Sequence, residues 1–314
     1  MDESKRDYRR YLDPKVLARV SGLELRARLI VEGFFSGMHH SPHRGVSVEF
    51  ADHRVYTQGD DLRHIDWKVY GKTDKYYIKQ YEQETNLEMM LVVDGSESME
   101  YRSPSASLSK YEYGIAIAAA IAYLALQQQD SVGLALFDDR IREYIRPSNS
   151  AHQWKLIVRE LAGQTGRAKT SLQHVLRETA ERLTHRTLVI LISDLFDDVA
   201  SVLKGLKLLR YRRHEIIVWN VWDQAELTFP FKGPTMFEGL EAAGRLRTDA
   251  RSLQVRYLDE VERFQARIRS GCGYMHADYT LFSTAAPLDA ALSAYLAKRS
   301  ARLRQRSARI MGAG

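Results

Sequence analysis

The chain has 314 residues, 45% apolar and 27% charged, which is enough for one large domain, or one domain with an appendage, of an ordinary soluble type. A single cysteine, Cys272, excludes an internal disulfide. The net charge of +6 (46 basic against 40 acidic residues) resides in Lys298, Arg299, Arg302, Arg304, Arg306 and Arg309, so the body is balanced and argues against a dedicated nucleic-acid domain.

The first residues, MDESKRDYRRYLD, are too charged for a secretory signal. The longest apolar run, Tyr113 to Leu126, is shorter than the roughly 20 residues of a membrane-spanning helix. These features, with the lone cysteine, lead to the expectation of a cytoplasmic protein.

In chain order, Leu17, Val20, Leu23, Leu25, Leu29 and Ile30 form the apolar stripe of a helix over Pro14 to Phe35. A turn-rich loop runs from Gly37 to Gly45. Val46 to Tyr56 alternates as a strand, Gly59-Asp60-Asp61 opens a short helix through Trp67, and Tyr76 to Tyr81 is a further strand. From Leu87 onward strand and helix alternate. The expected strands are Leu87–Val93, Ser131–Phe137, Arg142–Ile145, Thr187–Ser193, Glu215–Trp222 and Tyr279–Phe282. The expected helices are Tyr111–Gln129, His152–Ala162, Ser171–Leu183, Val199–Tyr211, Asp249–Arg269 and Pro287–Arg306, with a β-rich insertion over Phe229–Leu246. Continuous apolar strands between helices predict a doubly wound, mostly parallel α/β sheet covered on both faces. The expected division is an N-terminal helix/β segment over 1–84, the α/β domain over 85–300 and a basic tail over 301–314.

The apolar strand LEMMLVV delivers Asp94-x-Ser96-x-Ser98 to a loop. One carboxylate and two hydroxyls suit a small hard divalent cation, Mg²⁺ first, with Mn²⁺ and Ca²⁺ as alternatives. In an open α/β sheet ligands gather at the carboxyl ends of the strands, where Asp194 ends a second apolar strand and Thr170 opens a helix. The site expected from three loops is thus Asp94, Ser96, Ser98, Thr170 and Asp194. The competing reading has Asp94 and Ser96 capping the next helix.

These five residues, in order and context, resemble the metal-ion-dependent adhesion site of von Willebrand factor A-type domains, which are Rossmann-like. The resemblance implies that the serines and the threonine touch the metal, that the aspartates act directly or through water, and that a partner's carboxylate fills an open position. Glu97, between the serines, would tune or block that position. A narrower resemblance rests on Arg44-Gly45, Val48-Glu49-Phe50, Arg54, Tyr56, Gly59-Asp60-Asp61, Arg63 and Ile65-Asp66-Trp67. These are similar to the signature of the bacterial family known as domain of unknown function 58, in which the signature precedes an A-type core. That family's association with MoxR-type AAA+ ATPases implies such an ATPase as partner and an acidic side chain of a client protein at the metal.

From the residues alone, Asp60 can cap the helix, Arg63 can pair with Asp66, and Trp67 and Tyr70 offer packing surface. The alternative is a partner-binding role for Arg54, Asp60, Asp61 and Arg63. Gly163 to Thr170 mimics a phosphate loop but has Ala168 in place of the second glycine and follows a helix. His39, His40 and His43 lack a fixed fourth ligand for zinc. Asp197 and Asp198 read as first-turn carboxylates of the following helix.

The function expected is a non-enzymatic, metal-dependent protein-interaction or adaptor module that works with the ATPase. The alternatives are a metal-assisted hydrolase with Ser96 as nucleophile, weakened by the lack of a histidine in the site loops, and an RNA-binding A-type domain. The basic tail is a frayed helix end or a peripheral contact with an acidic protein or membrane surface.

Overall fold

The computed structural model describes residues 23–28, 31, 53–56, 67–73, 75–79, 87–163, 171–238, 244–290 and 292. The chain divides into two compact units, one made of Met1–Gly37 with Leu87–Gly314 and the other of Met38–Asn86.

In the smaller unit, strand β1 (His53–Val55) pairs antiparallel with β2 (Tyr77–Lys79), with Arg54 opposite Ile78, and helix α1 (Trp67–Thr73) lies between them in sequence. Tyr70 stacks on Tyr76 at 4.6 Å, and Trp67 meets Tyr70 edge-on at 6.1 Å. Asp60, Asp61 and Arg63 lie outside the described residues, as does the side chain of Arg54.

The larger unit is built on a six-stranded sheet. Its strands are β3 (Glu88–Asp94), β4 (Ser131–Phe137), β5 (Ile141–Ser148), β6 (Leu188–Ser193), β7 (Glu215–Trp222) and β10 (Asp278–Ser283). The spatial order is β10-β7-β6-β3-β4-β5, parallel throughout except that β5 runs antiparallel to β4. The insertion is the antiparallel hairpin β8 (Pro234–Glu238) and β9 (Arg245–Asp249). The helices are α2 (Lys110–Gln127), α3 (Gln153–Leu161), α4 (Leu172–Arg182), α5 (Val199–Tyr211), the short α6 (Gln224–Thr228) and α7 (Ala250–Tyr274).

Two-residue alternation within each buried strand divides the core. Met89, Leu91 and Val93 join one apolar cluster with α2, α3 and Leu23, Ala27 and Val31 from the N-terminal helix. Met90 and Val92 join a second cluster with α4, α5 and Ile268 of α7. Helices on both faces of a mostly parallel sheet make a Rossmann-like α/β fold. The terminal helix expected over Pro287–Arg306 is described only at 288–290 and 292, and the basic tail lies outside the described residues.

Where β4 and β5 meet, the register shifts between Val132 and Leu134. A side chain on the intervening Gly133 would lie 2.7 Å from the Ile145 carbonyl oxygen and 2.9 Å from the Pro147 nitrogen. Only glycine permits this close backbone approach at an irregularity of the ladder.

The chain moves from β3 to β4 on one side, then returns to the other side of β3 to form β6. The order therefore reverses between β3 and β6, and the crevice at their carboxyl ends is the topological switch point.

Candidate metal centre

Asp94 and Asp194 stand at that switch point, one ending β3 and the other immediately after β6, both fully buried. Asp94 Oδ1 accepts from the Ser96 amide at 2.9 Å, and its Oδ2 accepts from the Ser193 hydroxyl at 2.6 Å. Ser193 in turn accepts from the Leu195 amide at 2.8 Å, so β6 fixes the orientation of the β3 carboxylate. The loop after β3 is pinned to β4 by the Gly95 amide, 2.7 Å from the Phe137 carbonyl.

Ser96 precedes a 3-10 turn over Glu97–Glu100 and makes no side-chain capping bond to it. Its Oγ instead lies 3.2 Å from Ser98 Oγ, with both residues buried. Two buried hydroxyls beside a buried carboxylate are the oxygen chemistry that a hard divalent cation takes. Among the described residues no group of three or more His, Cys, Asp and Glu side chains is placed to hold a metal. The candidate donors here are hydroxyl-rich, a different ligand type.

Burial pushes the Asp94 carboxyl up to about 7, and the neighbouring Asp194 charge adds to it, against the hydrogen bonds from Ser193 and Ser96. Asp194 has a cation of its own. Its Oδ2 lies 2.7 Å from Lys110 Nζ, and its Oδ1 accepts from the Phe196 amide at 3.1 Å. The same ammonium reaches Glu226 Oε1 at 2.8 Å and sits 4.6 Å above the Phe196 ring. Burial works against the Lys110 charge, but Asp194 and Glu226 outweigh it and push its pKa up to about 12.

Glu226 has a second task. Its other oxygen accepts from the Asp223 amide at 2.9 Å and completes the capping box of α6. Asp223 accepts from the Ser103 amide at 3.1 Å and from the Thr284 hydroxyl at 3.3 Å, so the loop after β3 is tied to the exits of β7 and β10.

The structure thus brings together Asp94, Ser96, Ser98 and Asp194. Thr170 lies outside the described residues, but the chain just beyond it is anchored at this end of the sheet. The Leu172 amide donates to Asp197 Oδ2 at 2.9 Å. Asp197 therefore ties the start of α4, and Asp198 is the N-cap of α5, accepting from the Ser201 amide. The sequence expectation of first-turn carboxylates is corrected accordingly. Glu97 is half-buried on the 3-10 turn. The phosphate-loop mimic after Gly163 and the three histidines at 39, 40 and 43 lie outside the described residues.

Lys110, Ser193 and Glu226 escaped the sequence reading. The signal for Lys110 was a cation at the first position of an otherwise apolar helix, where the helix dipole disfavours it.

Residues 52–268 match a family described as protein of unknown function DUF58. The chain belongs to the DUF58 family. This DUF58 chain is 25% identical over 234 residues to uncharacterized protein Rv1480 of Mycobacterium tuberculosis, covering 73% of the former and 72% of the latter. Among solved structures it is similar to BatB from Bacteroides thetaiotaomicron, with 14% identity and a TM-score of 0.45 over 68% of this chain and 98% of that one. It is also similar to an aerotolerance-related membrane protein from Bacteroides fragilis, with 14% identity and a TM-score of 0.41 over 66% and 96%.

The expectation of a cytoplasmic protein is corrected to no assigned compartment, and the description of one matched structure as a membrane protein stays with that protein. The reason is physical: a charged leading segment and the shortness of apolar runs report on spanning helices, not on the compartment in which a folded domain works. Among the described residues no helix is long and apolar enough to cross a membrane.

Proposed function

We propose that this DUF58 chain carries a von Willebrand factor A-like domain whose adhesion-type metal site grips an acidic side chain of a protein partner. The observation that carries the reading is the pair Ser96 Oγ and Ser98 Oγ, buried and 3.2 Å apart, with Ser96 unused in capping and next to the Asp94 carboxylate at the switch point. In this reading Asp94, Ser96 and Ser98 hold a divalent cation, Mg²⁺ first, with Thr170 contributing a further hydroxyl. Asp194 acts through its charge, because Lys110 and the Phe196 amide already engage its two oxygens.

The charge balance supports a bound dication. Lys110 pairs with both Asp194 and Glu226. With Asp94 these are three carboxylates against one ammonium, a deficit that a divalent cation neutralises in a low-dielectric crevice. When bound, the cation supplies a Lewis-acidic position for a carboxylate oxygen. The residues around it hold that position by Asp94 fixed from Ser193, and by a loop pinned at Gly95 and Ser103.

The same reading assigns the chain as a non-enzymatic adaptor whose working partner is a MoxR-type AAA+ ATPase, the association implied by the family signature. Isothermal calorimetry with Mg²⁺ on the wild type and Asp94→Ala tests the site, and co-purification of the chain with a MoxR-type ATPase, with and without Mg²⁺, tests the partner. Loss of Mg²⁺ binding with a retained fold is the expected result, whereas unchanged Mg²⁺ affinity in Asp94→Ala overturns the assignment.

A further inference from the structure

At the opposite end of the sheet, where β6 and β7 begin and α4 and α5 end, lies an open cavity of about 810 Å³. Its lining is basic: Arg186, Arg210, Arg212, Arg213, His185 and His214 all contribute. Arginine at a helix carboxyl end ordinarily answers the helix dipole and the last carbonyls. That accounts for Arg212, which donates to the Ala180 carbonyl at 3.0 Å. Arg186 is paired with Glu215 at 2.6 Å. Arg210 and Arg213 make no side-chain hydrogen bond or ion pair among the described residues. Four guanidiniums against the one Glu215 carboxylate leave a surplus of three positive charges around the cavity.

The arginines that make no bond are what point to a ligand. His214 also lines the cavity and is only 2% exposed. Its Nδ1 accepts from the Thr187 amide at 3.3 Å, which leaves the proton of the neutral ring on Nε2. That Nε2 is buried and has no hydrogen-bond partner. Burial and the Arg212 charge hold the ring below its ordinary pKa, so the neutral form with this proton is the one favoured.

The turn that builds the site has its own signature. Arg213 has φ of 67° at the end of α5, with its amide on the Arg210 carbonyl at 2.9 Å and the His214 amide on the Leu209 carbonyl at 3.2 Å. This is the helix-terminating motif whose left-handed position favours glycine. An arginine occupies it here, beside an inward-facing histidine.

We infer that this cavity is a binding site for a phosphate group, with the Arg210, Arg212 and Arg213 guanidiniums meeting its charge. Guanidinium forks match tetrahedral phosphate oxygens, and a surplus of three charges matches a diphosphate or phosphoester better than a single carboxylate. The cavity volume falls in the range of small-molecule sites. It lies at the end of the sheet opposite the Asp94 crevice, so it stands or falls independently of the metal reading.

The test is calorimetric titration of the full chain with inorganic diphosphate at low salt, beside sedimentation with phosphatidylcholine vesicles with and without phosphatidylglycerol. Arg210→Ala and Arg213→Gly are compared with the wild type, and glycine at 213 suits the backbone, so a folding defect does not confound the result. Saturable diphosphate binding, weakened about tenfold or more in each variant, supports a soluble phosphorylated ligand. Binding only to phosphatidylglycerol vesicles, with the same sensitivity to the variants, supports a phospholipid headgroup as the source of the phosphate. Binding to neither, or binding that both variants leave unchanged, overturns the inference.

Discussion

Lys110 Nζ lies 2.7 Å from Asp194 Oδ2, and both side chains are completely shielded from solvent. Breaking one side of such a pair strands the other charge in the interior, at a cost of roughly 3–5 kcal/mol. Lys110→Met is therefore expected to lose that much stability in urea unfolding at neutral pH. The double variant Lys110→Met/Asp194→Asn should recover part of it, because the stranded carboxylate is gone. Equal losses in single and double variants would show that packing of the lysine stem, rather than charge pairing, is what matters.

Metal removal should be visible as stability. If Mg²⁺ binds the native crevice and not the unfolded chain, excess Mg²⁺ over EDTA raises the unfolding free energy by about 2.7 kcal/mol at one hundred times Kd, and the unfolding temperature with it. Asp94→Asn should abolish that increment. In EDTA the same variant should fold normally, because it also removes a carboxylate whose pKa burial and Asp194 have pushed up to about 7. A thermal scan with and without EDTA reads both effects.

Arg213→Gly is expected to stabilise the fold by about 0.5–1 kcal/mol, since glycine relieves the left-handed backbone while giving back some unfolded-state entropy. Chemical denaturation would register the gain as a higher midpoint with an unchanged slope.

His214 sets a pH dependence whose sign follows from its lowered pKa. Above about 6.5 the ring is neutral in both the native and unfolded states and the full stability is present. As pH falls below 6.5 the unfolded chain takes up a proton that the buried ring resists, so stability declines until the native pKa is passed. Denaturation series from pH 7.5 to about 5 should show this decline, and a His214→Phe variant should show a shallower one.

Much of the larger unit was legible because its strands are continuous apolar runs that end in polar residues. LEMMLVV ending in Asp94 and LVILIS ending before Asp194 announce both strand and crevice. The helix bounds at Val199–Tyr211 needed only the apolar stripe, while the role of Asp198 as its cap was not read. Lys110 was not legible, because its partners are 84 and 116 residues away and no local pattern links them. His214 was equally silent: its burial follows from a turn at Arg213 where the residue type argues against the conformation. Compartment was not legible at all, since neither charge balance nor apolar run length records where a folded domain resides.

The apolar middle of α2 has a mechanical consequence. From Lys110 to Ala125 nearly every residue of this helix is buried, including six alanines. A helix enclosed on all sides has no free face along which to slide, so the ammonium at its head is held as a stiff strut. Asp194 hangs from a loop, and Glu226 from the five-residue α6. Any displacement at the crevice must therefore be absorbed by those two lighter elements, while the strut that joins them stays in place.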